Sequence, residues 1–472
     1  MNLTLFKNTF LKNFSFAPTS DQNSAINNLC NYMFESTQDS IFLLKGYAGT
    51  GKTTLLSAFV KTLQQYNVKT YLSAPTGRAA KVLSNASNHQ AYTIHKLIYR
   101  QKSGIDSVFN LDRNLNSDTF YIVDEASMIA KDSSENSVFG SGRLLEDLIH
   151  YVFSGHNCRL ILSGDDAQLP PVQSKLSPAL DKDELLCYCS EVFQSTLSQV
   201  LRQAQDSGIL YNATLLRQKI SQNEYLKNFI PKIKLKDFVD IERLQGGDFL
   251  EKLENSYDKS GIFETLVITR SNKNANIYNN GIRSRIFYRE EALTVGDLLM
   301  VVKNNYFYAK EIENLDFIAN GDFAQVVRVG KEQSLYGFTF INVDLKFNDL
   351  DSVELSVKII KECLQSPFAG LSEQENRTLY LNVMEDYEGM SKKDAYKELR
   401  QNEYFNALQV KYAYAVTCHK SQGGQWQNVF IDQGYLTDEM LDKEYLRWLY
   451  TAITRAKGKV YLVNFRDDFF EN

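Results

Sequence analysis

The sequence GYAGTGKT, residues 46–53, directly follows the apolar run Ile41–Leu44 and one lysine. It has the form GxxxxGK[ST] of a glycine-rich phosphate loop, and its setting predicts a buried strand, a tight turn and a helix that begins at Lys52. Backbone N–H groups at the start of such a helix bind polyphosphate. The alternative interpretation is an ordinary glycine turn between a strand and a helix.

The side chains of this loop predict a nucleoside triphosphate bound together with Mg²⁺. Lys52 is expected to neutralise the outer phosphates, and the hydroxyl of Thr53 to complete the coordination shell of the metal. ATP and GTP both fit this part of the pattern. The residues expected to surround the nucleotide here are Gly46, Gly49, Thr50, Gly51, Lys52, Thr53 and Thr54.

Two further motifs place polar groups after predicted strands. Asp124 and Glu125 follow the apolar run Thr119–Val123, so Asp124 is expected to hold Mg²⁺ through water and Glu125 to polarise the attacking water. A solvated turn is the alternative for this pair. Gln168 lies in GDDAQLPPV, residues 164–172, where its side chain can reach a γ-phosphate or the water that attacks it.

Composition bounds the class of protein. A chain of 472 residues with 43% apolar content can form two or three cores, since domains usually hold about 100 to 200 residues. The net charge of −5 gives no electrostatic signature of nucleic-acid binding, although a groove can be locally positive on an acidic surface. The scattered cysteines match no zinc-binding spacing, so we expect reduced thiols and no structural metal. Without a signal-peptide core or a membrane-spanning run, we expect a soluble, cytoplasmic protein with no membrane partner.

Strand-like and helical stretches alternate along the chain and predict an α/β fold with parallel sheets, whose ligands bind at the carboxyl ends of the strands. The predicted strands of the first half are Ile41–Leu44, Lys69–Ala74, Thr119–Val123 and Leu160–Leu162. Those of a second core are Thr265–Thr269, Tyr412–Val416, Val429–Ile431 and Lys459–Val463.

Between about residues 290 and 405 the pattern changes to short alternating pieces with turn signals, which predicts a small β-rich insertion. Its charged tail, Glu385–Tyr404, is predicted to be a solvated helix. We therefore divide the chain into a first core, 1–197, and a second core, 198–290 and 406–472, which is interrupted by the insertion at 291–405.

Motifs along nearly the whole chain resemble, in their order, those of superfamily 1 helicases, and their form is that of the RecD-like and Dda-like branch, superfamily 1B. These motifs are FAPTSDQ (16–22), GYAGTGKT (46–53), APTGRAA (74–80), TIHKL (93–97), DEAS (124–127), GDDAQLPPV (164–172), LRQ (201–203), AVTCHKSQG (415–423) and YTAITRAK (450–457).

The resemblance implies two tandem RecA-like P-loop cores with ATP in the cleft between them. Gln22 would read the adenine edge with its amide, which favours ATP over GTP. Arg202 would contact the γ-phosphate, and Arg455 would be an arginine finger from the second core. A surface salt bridge is the alternative for Arg455. Gly423 and its neighbour Gln422 would link the nucleotide site to the nucleic acid.

The resemblance also implies that a single DNA strand lies across both cores and is held by its phosphates without base reading. A satisfied structural histidine is the alternative for His95. The sequence departs from the family at Gln425, where many relatives carry a glutamate near the ribose. The residues expected to bind DNA are Pro75, Thr76, His95, Lys96, Phe109, Thr417, His419 and Lys420.

In this family the interval at about 99–118 carries a short pin that splits the duplex, and the insertion is an SH3-like module that pushes against it. Phe109 or Tyr99 would stack on a base there, or Phe109 would simply be buried beneath the loop. The resemblance therefore predicts a monomeric ATP-driven DNA helicase that moves 5′ to 3′ on single-stranded DNA and acts at single-strand/duplex junctions. A translocase or RNA-directed ATPase without unwinding, a subunit of a nuclease complex, and a scaffold without turnover are the alternatives.

Overall fold

The computed structural model of the protein describes residues 2–35, 37–101, 109–131, 139–171, 174, 176–199, 206–222, 229–311, 317–347 and 353–471. Among these residues, no helix combines the length and the apolar character that crossing a membrane requires.

Helices and strands alternate along much of the chain. The helices are α1 (Leu3–Asn13), α2 (Ser20–Glu35), α3 (Lys52–Gln65), α4 (Gly77–Ser87), α5 (Ile94–Ile98), α6 (Leu144–Phe153), α7 (Lys182–Leu185), α8 (Gly208–Ser221), α9 (Phe249–Ser260), α10 (Asn272–Arg285), α11 (Glu373–Met384), α12 (Lys392–Leu399), α13 (Cys418–Ser421) and α14 (Lys443–Ile453). The strands are β1 (Ser40–Gly46), β2 (Thr70–Ala74), β3 (Ala91–Thr93), β4 (Tyr99–Gln101), β5 (Phe109–Leu111), β6 (Phe120–Val123), β7 (Arg159–Gly164), β8 (Glu191–Leu197), β9 (Ile241–Leu244), β10 (Thr265–Thr269), β11 (Leu298–Val301), β12 (Phe323–Leu335), β13 (Phe338–Phe347), β14 (Val353–Ile360), β15 (Val410–Tyr412), β16 (Ala415–Thr417), β17 (Trp426–Asp432) and β18 (Ala456–Val463).

The first sheet is parallel throughout its described part, with the strand order β3-β2-β6-β7-β1-β8. Successive side chains of a strand point to opposite faces, so Phe42 and Leu44 pack with α2 and α3, whereas Ile41 and Leu43 pack with α5 and α6. Both faces are therefore covered by helices, which explains the continuous apolar run in β1. The four strands predicted for the first core are confirmed as β1, β2, β6 and β7.

The second sheet is also parallel, with the strand order β16-β10-β17-β18-β9 among the described residues. The strands predicted in this core are confirmed for β10, β17 and β18. The prediction of one strand at Tyr412–Val416 is wrong. The chain passes from β15, which pairs antiparallel with β11, to β16, which pairs parallel with β10. The predicted α/β class with parallel sheets is thus confirmed.

A third, antiparallel sheet has the strand order β14-β13-β12-β11-β15 and forms the β-rich insertion. Because β15 completes this sheet, the sheet continues past the insertion range predicted at 291–405. The solvated helix predicted at Glu385–Tyr404 is wrong, since α12 covers only its middle. Tyr404 instead packs edge-on against Phe340 at 5.1 Å, and the ammonium group of Lys358 lies 4.4 Å from its ring centre.

A buried ionic network joins this insertion to the second core. Asp297, which has no exposed surface, accepts hydrogen bonds from Arg283 Nε at 2.9 Å and from Arg289 Nη1 at 2.8 Å. Tyr414 also donates its hydroxyl to Asp297, at 3.0 Å. One carboxylate therefore ties the end of α10, the start of the insertion and the return of the chain into β16.

We predict that Asp297→Ala destabilises the protein by about 3 to 5 kcal/mol, because it leaves two arginine charges in a buried position without their carboxylate. The measurement is chemical denaturation followed by fluorescence. Asp344→Ala is the control, because its partner Arg328 is solvent-exposed and screened, and it should shift the transition far less. Equal shifts for the two variants would contradict the assignment of Asp297 as the buried centre of this network.

Candidate functional site

Three parallel strands bring the predicted nucleotide residues to one edge of the first sheet. β1 ends in the phosphate loop, β6 ends just before Asp124, and β7 ends at Gly164, just before Asp165. In the sheet β7 lies between β6 and β1, and all three run in the same direction. Their carboxyl ends therefore meet at one edge, which is where ligands bind in parallel α/β sheets.

The phosphate loop has the backbone shape that its glycines predict. Gly49 and Gly51 have φ values of +73° and +82°, a region that favours glycine, and Gly51 precedes the first residue of α3. A Cβ atom at Gly46 would lie 2.8 Å from Cγ of Lys52, so a side chain there would displace the lysine. Lys52 Nζ donates to the carbonyl of Tyr47 at 3.2 Å and stays within the loop. The loop can thus accept a phosphate group on its N–H donors and on this ammonium.

Thr53 and Asp124 lie side by side, as the prediction of a shared metal requires. The hydroxyl of Thr53 donates to Asp124 Oδ2 at 3.4 Å, while Ser163 donates to Oδ1 at 2.9 Å. The N–H of Glu125 also donates to Oδ1, at 2.9 Å. Hydroxyl and carboxylate oxygens are suitable ligands for Mg²⁺, directly or through water, so these two residues fit the ion.

Two of the predicted catalytic side chains carry a buried oxygen that has no hydrogen-bond partner among the described residues. These atoms are Oε2 of Glu125 and Oε1 of Gln168. Buried polar atoms without partners are costly and rare, so a polar ligand or water at this point would stabilise both side chains. Glu125 also has φ +53°, a strained backbone for a residue other than glycine. The arrangement fits residues that contact a phosphate and its attacking water.

Charged residues of both cores act on the carboxylate of Glu125. Burial raises the pKa of Glu125, the nearby positive charges of Arg455 and Lys52 lower it, and the charge of Asp124 raises it. Arg455 comes from the second core and is 3% exposed. Its Nε donates to the carbonyl of Thr451 at 3.1 Å and its Nη1 to that of Gly424 at 3.3 Å. Arg455 is therefore buried close to the acidic pair, and the alternative of a surface salt bridge is wrong.

The remaining predicted nucleotide residues are placed as follows. Gln22 is buried against the phosphate loop, where its Nε2 donates to the carbonyl of Thr50 at 2.9 Å and its Oε1 accepts from Thr19 N at 2.9 Å. Thr54 is exposed on α3. Gly423 packs against Thr76, since a Cβ at Gly423 would lie 2.9 Å from Thr76 Oγ1. Arg202 lies outside the described residues.

A groove with a volume of about 730 Å³ separates the first core from the insertion. It brings together four of the residues predicted to bind DNA, namely Pro75, Thr76, His95 and Phe109. Burial lowers the pKa of His95 to about 4, and the imidazole packs against Phe139 at 4.7 Å. His95 lines the groove, where burial favours the neutral form of its imidazole.

The other predicted DNA residues lie elsewhere. In the second core Thr417 ends β16, His419 and Lys420 lie on α13, and none of the three lines this groove. Burial lowers the pKa of Lys420 to about 8 and also lowers that of His419. Lys96 is on α5, with its ammonium 5.5 Å from the ring centre of Tyr92.

The interval predicted to carry a pin contains a two-stranded antiparallel hairpin of β4 and β5. Its tip, 102–108, lies outside the described residues. Phe109 is half-buried in the strand pair next to this tip, 4.5 Å from the ring of Tyr306 in the insertion and 5.1 Å from that of Phe139. The ring of Phe109 is packed against its aromatic neighbours and also lines the groove, and its stacking on a base stays a prediction. Sequence analysis missed Tyr306 and Phe139, which belong to no motif.

The sequence assigns no role to Tyr450 and Thr451, which connect the two cores together with Gln422. The hydroxyl of Tyr450 on α14 contacts the phosphate loop and Asp165, and Thr451 and Gln422 hold Leu169. All of these residues lie within motifs that the sequence identifies. Their position in the chain next to predicted site residues could have indicated that they contact the other core. A phosphate loop on one parallel core, closed by an arginine-bearing second core, defines the class of two-core P-loop ATPases.

Comparisons with known proteins agree with this class. A family model described as an AAA domain matches residues 18–228, and one described as a UvrD-like helicase C-terminal domain matches residues 412–463. The RecD subunit of the RecBCD enzyme from Buchnera aphidicola is 24% identical over 89% of this chain and 69% of that protein. The ATP-dependent DNA helicase dda of Enterobacteria phage T4 is 26% identical over 55% of each chain.

Among solved structures, the Pif1 helicase from Bacteroides in complex with ADP-AlF3 and ssDNA aligns with a TM-score of 0.48 and 14% identity, covering 97% of this chain and 95% of that one. The two family models, these relatives and the ordered motifs support a superfamily 1B helicase of the RecD-like and Dda-like type.

We predict that the acid limb of the pH profile of kcat/KM for ATP lies above pH 4.5, the ordinary pKa of glutamate. Glu125 must be deprotonated to polarise water, and burial raises its pKa, so activity is lost earlier as the pH falls. The measurement is steady-state ATPase activity across the acid range, with unfolding followed in the same buffers. An acid limb at or below pH 4.5 in the folded protein would contradict this role.

Proposed function

We propose that the protein is an ATP-dependent DNA helicase that moves along single-stranded DNA from 5′ to 3′ and separates the duplex ahead of it. The observation that carries this proposal is the position of Arg455. It reaches from the second core to within electrostatic range of Glu125, so the state of the nucleotide site and the closure of the two cores depend on each other.

The nucleotide proposed here is ATP with Mg²⁺, held by the phosphate loop. Lys52 would neutralise the outer phosphates, while Thr53 and Asp124 would hold the metal, whose chemistry is to neutralise charge on the phosphate oxygens. Glu125 and Gln168 would orient and polarise the attacking water, which gives their buried oxygens a polar partner. Arg455, with Arg202 as the predicted second arginine, would stabilise the charge that develops on the transferred phosphoryl group.

The nucleic acid proposed for the groove is a single strand next to a junction with duplex. Thr76 lines the groove and is also the N-cap of α4, and Gly423 of the second core packs against it. A change in the closure of the cores would therefore alter the surface that grips the strand. If each nucleotide state favours a different set of contacts between the cores and the DNA strand, alternate opening and closing moves the protein along the DNA.

The direction of movement can be tested with paired substrates. We predict that the protein unwinds a duplex with a 5′ single-stranded tail and leaves the same duplex with a 3′ tail intact, because a 5′-to-3′ motor reaches the junction only from the 5′ tail. Strand separation is measured by gel or fluorescence with ATP and Mg²⁺. Unwinding from the 3′ tail alone would contradict the direction, and DNA-stimulated hydrolysis without any unwinding would favour a translocase.

The role of Phe109 in strand separation can be tested apart from ATP hydrolysis. We predict that Phe109→Ala lowers the unwinding rate several-fold and leaves DNA-stimulated hydrolysis near that of the parent, because base stacking contributes about 1 to 3 kcal/mol per base. Tyr435→Ala is the control, since this exposed aromatic residue lies in the second core outside the groove. Equal effects of both variants, or an equal loss of hydrolysis and unwinding, would contradict a separating role for Phe109.

A further inference from the structure

The segment Asp165–Leu169, which carries Gln168, is held at both ends by the second core. At its end, Leu169 donates its N–H to Thr451 Oγ1 at 2.8 Å, and its carbonyl accepts from Gln422 Nε2 at 2.7 Å. At its start, Asp165 accepts a hydrogen bond from the hydroxyl of Tyr450 at 2.6 Å. The position of Gln168 between these points therefore depends on contacts across the seam of the two cores.

Tyr450 makes a second contact, which reaches the phosphate loop. Its hydroxyl accepts the N–H of Ala48, in the phosphate loop, at 2.9 Å while it donates to Asp165. A phenol has one proton to donate and accepts through its oxygen, so both contacts form at once. The side chain has no exposed surface. One hydroxyl from the second core thus joins the phosphate loop to the start of the segment that carries Gln168.

The chemistry of Asp165 makes this hydrogen bond more than a packing contact. Asp165 is 1% exposed, and burial raises its pKa, whereas the charge of Lys52 and the hydrogen bond from Tyr450 lower it. Its other oxygen accepts the N–H of Ala167 at 3.0 Å, which shapes the turn that leads to Gln168. Hydrogen bonds to a buried charged group are about twice as strong as neutral ones.

Tyr450 lies on the same helix that leads to the arginine finger. Thr451, the next residue of α14, offers its carbonyl to Arg455 Nε at 3.1 Å and its hydroxyl to Leu169. A displacement of α14 would therefore move the contacts of the Gln168 segment and the anchor of Arg455 together. The helix is buried along this stretch, so it has little freedom to adjust one contact without the other.

We infer that Tyr450 is a positioning residue for ATP hydrolysis. Through its hydrogen bonds to Asp165 and Ala48, it places the Gln168 segment and Arg455 correctly relative to the phosphate loop. This inference rests on the proposed ATPase function of the same site. Tyr450 does not touch the reacting atoms. Its hydroxyl aligns the groups that do, and the alignment exists only when the two cores are closed on each other.

The test compares Tyr450→Phe with Tyr445→Phe in the full-length protein. Both residues are buried tyrosines on α14, but the hydroxyl of Tyr445 accepts from Gln433 within the second core, at 3.2 Å. We expect Tyr450→Phe to lower the DNA-stimulated kcat by about 10-fold or more, with KM for ATP changed far less, because a hydrogen bond to a charged group is lost. Tyr445→Phe should keep the parental kcat, and the two variants should melt at similar temperatures.

A double variant tests whether Tyr450 acts through Asp165. If it does, Tyr450→Phe combined with Asp165→Asn should have a kcat no lower than that of the more impaired single variant, because the two changes remove one shared interaction. Fully multiplicative losses would overturn this route. A Tyr450→Phe protein that keeps its kcat within about twofold of the parent, or that loses no more than Tyr445→Phe, would overturn the role itself.

A measurement without turnover keeps this inference separate from the helicase proposal. ADP with aluminium fluoride should raise the melting temperature of the parent and of Tyr445→Phe above the value with ADP alone, and Tyr450→Phe should lose this increment. A parent that hydrolyses ATP but does not unwind DNA contradicts the helicase and leaves the comparison of kcat decisive. If the parent unwinds DNA and Tyr450→Phe behaves like the parent, only the positioning role of Tyr450 is contradicted. If the parent shows neither ATP turnover nor the increase in melting temperature, the helicase proposal and the role of Tyr450 are both overturned.

Discussion

The parallel pairing of β1, β7 and β6 is the constraint on which the rest of the molecule depends. Since these strands run in the same direction, their ends deliver the phosphate loop, Asp165 and Asp124 to one edge. The segment after β7 is therefore next to the phosphate loop and also exposed to the second core. The second core covers one side of the nucleotide site at this edge with Tyr450 and Arg455.

Closure of that side combines hydrogen bonds and the buried charge of Arg455 with apolar packing, since Ala167 and Leu169 lie in the hydrophobic cluster of the second core. The hydroxyl of Tyr450, the hydroxyl of Thr451 and the amide of Gln422 all bond groups of the first core. Such bonds depend steeply on distance and angle, so a small rotation of the second core would break several of them together. An interface of this kind favours discrete arrangements over a continuous range, as the proposed cycle of opening and closing requires.

The sequence predicts the phosphate loop and the central strands well because their signals are local. It misses β8 and β9 because their half-polar patterns are typical of strands at the edge of a sheet, where one face or one side meets solvent. It misplaces the strand at Tyr412–Val416 because an apolar run does not reveal that the chain changes sheets within it. The contact of Tyr450 with Asp165 spans 285 positions of the chain, a separation for which composition and periodicity hold no signal.

The buried carboxylate of Asp297 has a mechanical consequence. It fixes the root of the insertion to the second core through two arginines, so these two bodies would rotate as one unit. The insertion meets the hairpin of the first core at Phe109 and Tyr306, whose rings are tilted by 38° to each other with their centres 4.5 Å apart. Aromatic faces can slide with little loss of energy, whereas directional bonds cannot. The contact of Phe109 with Tyr306 would therefore allow the insertion and the second core to rotate together against the hairpin without breaking a directional bond.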